Sequence, residues 1–174
     1  MPRDSELRLE LRPARPADAP ALAALQRTIY AEGRWFVGDG APSAEALAHR
    51  LRRLEAARSL VLLAYAADPA EGLALGGWLE LHRLRPARMS HVAVLTLAVA
   101  PTFRQRGVAS RLLAEAYRWA RAVGVRKVQL SVREHNRAAL ALYEREGFTL
   151  EGRERCQVFD AGRFEDNLLM AKFL

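Results

Sequence analysis

With 174 residues, 51% of them hydrophobic, the chain can bury one core and is too short for two, so residues 1–174 read as a single domain. Residues 1–10 are charged and lack the apolar stretch of a signal peptide, and the longest apolar runs, near 60–67 and 92–100, fall far short of a membrane span; a cytoplasmic protein is expected. The formal charge of +7 would suit a polyphosphate or nucleic acid, but the arginines are scattered through every segment and Lys127 and Lys172 are the only lysines, so no basic stripe marks a nucleic-acid face.

Alternating leucines at Leu7, Leu9 and Leu11 predict a first strand, and Asp18, followed by Pro20, predicts the N-cap of a helix running to about Tyr30. A turn-rich stretch over 32–42 carries Gly33, Gly38 and Gly40 beside Trp35 and Phe36. Ser43 then caps a second helix with Leu47, Leu51 and Leu54 on one face. Residues 60–66 and 73–82 read as a hairpin joined through a turn at 68–72, and the valine-rich run 91–99 reads as a central strand buried on both faces. A helix over 107–123 stops at Gly124; a strand over 127–132, a short helix over 137–146 ended by Gly147, and a strand from Phe148 follow. The Asp160-Ala-Gly162 turn and 168–173 close a final hairpin. One strand-helix-strand crossover among antiparallel strands implies an α+β fold of three-layer αβα character. Its sheet should be mixed but mostly antiparallel and twisted, with about seven strands and about four helices.

Cys156 is the lone cysteine and has no CxxC or Cys/His companion, so the sequence argues against a disulfide framework or a structural zinc site, and no metal is expected. The segment that carries chemistry is LTLAVAPTFRQRGVASRLL, residues 95–113, where a buried strand passes through Pro101 into an arginine-rich turn and a helix start. Unpaired N–H groups and the positive end of a helix dipole favour an anion there, Gly107 permits close backbone approach, and Arg104 and Arg106 can add charge-assisted contacts. No GxxxxGK[ST] is present and the glycines of GxGxxG are missing, which argues against kinase-like and dinucleotide-dependent chemistry.

Arg104-Gln-Arg-Gly107-Val-Ala109 resembles the [QR]xxGx[GA] pyrophosphate-binding signature of the GNAT superfamily, and Asn136-Arg-Ala-Ala139-Leu-Ala-Leu142-Tyr143-Glu-Arg-Glu-Gly147-Phe148 resembles its NxxAxxLYxxxGF segment. The resemblance implies an acyl-CoA N-acyltransferase fold with acetyl-CoA as co-substrate, held where the strands at 94–99 and 127–132 splay apart. Leu97, Ala98 and Val99 would offer backbone to the pantetheine arm and the oxyanion. Arg104, Gln105, Arg106, Gly107, Val108, Ala109 and Ser110 would surround the pyrophosphate. Asn136, also placed as a helix N-cap, would touch the cofactor, and Tyr143 would protonate the departing thiolate. Glu80 is the foremost candidate for the base, with His82 on the same face and His91 weaker. Glu32, Trp35 and Phe36, with Asp39, would line the acceptor site.

The tail over 151–170 resembles that of relatives acting on amino acids and other small amines, and also of protein-modifying ones. The expected activity is therefore acetylation of a small primary amine. A protein N-terminal or lysine acetyltransferase and a non-catalytic acyl-CoA sensor are the alternatives. The partners expected are an amine and acetyl-CoA, with no nucleic acid and no membrane, and the resemblance allows a homodimer.

Overall fold

The computed structural model describes residues 8–38, 40–68 and 72–174; Leu7, Asp39 and the middle of the 68–72 turn lie outside them. In chain order the elements are β1 (Leu9–Pro13), α1 (Ala19–Tyr30), α2 (Ala44–Ala56), β2 (Leu60–Asp68), β3 (Gly72–Arg83), β4 (Val92–Val99), α3 (Val108–Ala122), β5 (Lys127–Arg133), α4 (Arg137–Arg145), β6 (Thr149–Asp160) and β7 (Arg163–Phe173). The strands form one sheet in the order β1-β2-β3-β4-β5-β7-β6. Only β4 and β5 are parallel, as their connection through α3 requires; the other neighbours are antiparallel. The α+β class, the seven strands and the four helices match the expectation.

Side chains alternate across a strand, and β3 shows which helix lies on which face. A Cβ at Gly77 would stand 3.4 Å from Val108 of α3, whereas the next residue, Trp78, stacks on Phe36, just beyond α1. The sheet is therefore sandwiched. Leu112, Leu113, Ala116 and Ala120 of α3 are fully buried, as are Leu79 and Leu81 of β3. On the other layer α1 buries Leu22, Leu25 and Ile29, and α2 buries Leu47, Leu51 and Leu54 at the spacing read from the sequence. Each such side chain contributes roughly 1.5–3 kcal/mol by leaving water.

Two local expectations change. Asp18 does not cap α1: it ends a single 3-10 turn, Pro16–Asp18, and has helical dihedrals. Its carboxylate accepts from the Arg12 guanidinium at 2.6 and 2.8 Å and from the Arg15 N–H at 2.7 Å, so the pull of Arg12 won over the cap. The 91–99 run is buried on both faces only at its start; Thr96 to Val99 are half-exposed because β5 leaves them. Ser43 and Asn136 cap α2 and α4 as expected, accepting from Ala46 and Ala139 N–H, both at 3.1 Å.

The β6–β7 hairpin is tied back to the sheet by Arg133, only 7% exposed, whose Nη1 donates to Glu165 at 2.8 Å and Asp160 at 3.2 Å. Leu112, with no exposed surface, joins α3 to the sheet. Leu112→Ala should lower unfolding free energy by about 2–5 kcal/mol in urea titration, because a close-packed site collapses only partly around a deleted side chain.

Candidate active site

β4 and β5 pair over three residues only, Val92 with Lys127, Ala93 with Val128 and Val94 with Gln129. Beyond Val94, β4 continues to Val99 against β3, and β5 continues to Arg133 against β7, leaving a wedge-shaped gap between two strand edges. Hydrogen bonding direction alternates along an antiparallel strand. Val92 O accepts from Leu84 N–H and Ala100 N–H donates to Gly76 O at 2.8 Å, so the even-numbered residues of β4 turn their backbone towards β3. Leu95, Leu97 and Val99 turn theirs into the gap. Val99 O is taken there by Arg104 Nε at 3.0 Å, which leaves Leu95 and Leu97 presenting amide groups to whatever enters.

At the open end of the gap the chain makes a 3-10 turn, Pro101–Phe103, anchored by the buried Phe103 ring. Gln105 (φ 58°) and Gly107 (φ 79°) both adopt left-handed backbone, and Gly107 is the N-cap of α3 with no side-chain cap. Left-handed residues alternating with an ordinary one turn successive N–H groups towards one point, which is an anion-binding nest, and the start of α3 adds its unpaired donors. Space is left for a group there: a Cβ at Gly107 would meet nothing within 4 Å. The exposed Arg106 guanidinium lies 5.9 Å from the centre of the Phe103 ring.

Tyr143, on α4, is 7% exposed and packs its ring 5.4 Å from that of Phe148. Burial pushes its phenol up to about 12, so it holds its proton throughout the neutral range. On the α2 side of the sheet, a cleft of about 540 Å³ is walled by Glu80 and His82 of β3, floored by Val94 and Thr96 of β4, and overhung by Arg50 and Arg53 of α2. Its floor is the stretch where β5 departs. Glu80 is buried and receives the Arg50 guanidinium on both oxygens, Nη2 to Oε1 at 2.8 Å and Nε to Oε2 at 3.2 Å.

Residues 30–148 match the family model described as the acetyltransferase (GNAT) family. The chain belongs to that family. A solved GNAT acetyltransferase from Streptococcus pneumoniae superposes with a TM-score of 0.85 at 28% identity, covering 96% of this chain and 99% of that one. A phosphinothricin acetyltransferase of the GNAT superfamily from Sinorhizobium meliloti, solved in complex with acetyl-CoA, superposes with a TM-score of 0.84 at 22% identity, covering 95% of this chain and 88% of that one. Among curated proteins, an uncharacterized N-acetyltransferase of Bacillus subtilis is 33% identical over 72 residues, 41% of this chain and 46% of that protein. The chain spans less than half the length of the curated relatives it matches.

Leu97 borders the gap and the turn from Gln105 to Ser110 stands at its mouth, whereas Ala98 turns its backbone to β3 and is a poor donor to the gap. Arg104 is committed elsewhere: both Nη atoms reach Glu32, with Nη1 at 2.8 Å from Oε2, and this pairing holds the Glu32 carboxyl below the usual carboxylate range. Glu32 and Arg104 thus form an ion pair with each other. Phe36 lies between Tyr30 and Trp78, centroids 5.1 and 5.9 Å away, as a packing rung, while Trp35 is half-buried. Arg50, Arg53 and Arg85 line the cleft and were not singled out by the sequence; among so many arginines only their position in the fold distinguishes them. No cluster of His, Cys, Asp and Glu fit to hold a metal occurs among the described residues, and no described helix is long and apolar enough to cross a membrane.

A buried phenol favoured in its neutral form contributes stability that is complete below the unfolded value of about 10 and is lost as pH rises through the folded value of about 12. The stability difference between the parent chain and Tyr143→Phe, followed by urea titration, should therefore stay level up to pH 10 and fall between 10 and 12. A difference that stays level to pH 12 contradicts the burial of this phenol.

Proposed function

We propose that this GNAT chain transfers an acetyl group from acetyl-CoA to the primary amine of a small molecule. The observation that carries the reading is the gap: two strand edges part after Val94, and an anion-binding turn stands at the open end. That pairing suits a cofactor with a diphosphate at one end and a peptide-like arm beyond it. The arm's amides can satisfy the inward-facing backbone of Leu95 and Leu97 as an added strand would. The donors around Gln105, Arg106, Gly107, Val108, Ala109 and Ser110 meet the diphosphate, and the room at Gly107 accommodates it.

Acetyl-CoA, when bound, supplies an activated thioester. Leu97 N–H, pointing into the gap, is the donor best set to stabilise charge developing on the acyl oxygen. Tyr143 gives its proton to the leaving sulfur; a phenol is protonated at working pH and can supply one. The acceptor enters from the cleft, whose volume of about 540 Å³ is that of a small-ligand site. Glu80 and His82 face it as the groups to receive the ammonium proton, with Arg50 fixing the Glu80 carboxylate.

A thiol-release assay with acetyl-CoA and a panel of amines, run beside calorimetry of cofactor binding, tests the proposal. Uptake without release for every acceptor would favour an acyl-CoA sensor. Gly107→Glu places bulk and negative charge at the diphosphate and should weaken acetyl-CoA binding by at least about tenfold in calorimetry. Tyr143→Phe should reduce kcat by roughly 10²-fold while cofactor affinity is retained, since it removes a proton donor and almost no contact area. Undiminished turnover would remove Tyr143 from the mechanism.

A further inference from the structure

The acceptor cleft is over-supplied with positive charge. Arg50, Arg53 and Arg85 line it, and the only carboxylate among its walls is Glu80, already engaged by Arg50 on both oxygens. Arg53 and Arg85 have no carboxylate partner among the described residues. Several arginines that reach between elements do find carboxylates: Arg12 with Asp18, Arg104 with Glu32, Arg133 with Asp160 and Glu165, Arg153 with Asp166 and Glu134.

The geometry makes this surplus purposeful. Arg50 and Arg53 stand three residues apart on α2, where like charges lie on one face and repel. Arg85, just after β3, adds a third arginine to the lining from a separate part of the chain. Two exposed arginines without a carboxylate partner line one space from separate elements, and an anion entering it would gain charge-assisted contacts from both. Guanidinium is also the group whose planar fork matches a carboxylate. Beneath them lie Val94 and Thr96, at the point where β4 and β5 part, so an anion held by Arg53 and Arg85 sits one small molecule away from the gap.

We propose that the acceptor is a small aminocarboxylate: Arg53 and Arg85 hold its carboxylate, and its amine passes Glu80 to reach Thr96 at the edge of the gap. This rests on the acetyltransferase reading above and names the substrate class of that same site. Removing the acid group from the acceptor, or either arginine from the cleft, removes the same interaction.

The test uses the full chain in the thiol-release assay with free L-amino acids and the corresponding α-carboxamides, which keep the amine and lose the charge. The acid should exceed its amide in kcat/KM by at least about tenfold, the usual worth of a charge-assisted contact. Arg53→Met and Arg85→Met should each erase most of that ratio, and Arg53→Glu should invert it. Because the two residues belong to different elements, misfolding of one variant leaves the other decisive. Amides turned over as well as acids, a preference that survives both substitutions, or acetyl-CoA uptake with no turnover of any free amino acid would each overturn the proposal while leaving cofactor binding intact. Absence of acetyl-CoA uptake in calorimetry would instead overturn the acetyltransferase reading, and this one with it.

Discussion

The parting of β4 from β5 after three paired residues is the constraint on which the rest of the molecule turns. Backbone amides inside a protein are almost always paired, and an open edge in mid-sheet leaves several without a strand partner. The gap persists because each edge is held from behind: seven residues of β4 pair with β3, and seven residues of β5 pair with β7. Closing it would break one of those ladders. A ligand with amides of its own can complete the edge without disturbing either ladder, so the sheet is preorganised for such a ligand and need not fold around it.

The polar ties around the gap follow from the same need. Arg104 reaches Val99 O and Glu32 together, joining the exposed end of β4 to the segment that follows α1. Arg50 reaches from α2 to Glu80 in the middle of β3, and Arg133 binds the tip of the last hairpin to the end of β5. Such partly exposed pairs add little to global stability individually. Their effect is positional: each fastens a segment that borders the gap or the cleft to a strand of the rigid sheet.

Much of this fold was legible in the sequence because its signals are local. Leucines at helical spacing marked α2, Ser43 and Asn136 marked helix starts, and Gly124 and Gly147, both with positive φ, marked helix ends. The departures arose where a side chain or strand outside the local pattern decided the outcome. Asp18 reads as a cap in the sequence but is held by Arg12, and the pairing of Glu32 with Arg104, 72 residues on, carries no mark in the sequence. The half-exposure of Thr96 to Val99 was likewise invisible, since it depends on where β5 turns away.

The same distinction explains why the family is plain and the acceptor is not. The proposed cofactor half works through backbone, and the conformations it needs restrict sequence tightly: Gly107 must hold φ 79°, and the turn before it must fit between a strand and a helix. Those demands leave a short contiguous motif. The acceptor half works through side chains from α2, β3, β4 and the loop after β3, with no fixed spacing between them, so Arg53 and Arg85 carry no local mark of their convergence. Side chains in such a wall can change one at a time without disturbing the gap, whereas a change of backbone at the turn would remove both grip and geometry together. A fold divided in this way can keep one cofactor and vary its acceptor, and reading the acceptor then requires the charge balance of the assembled cleft.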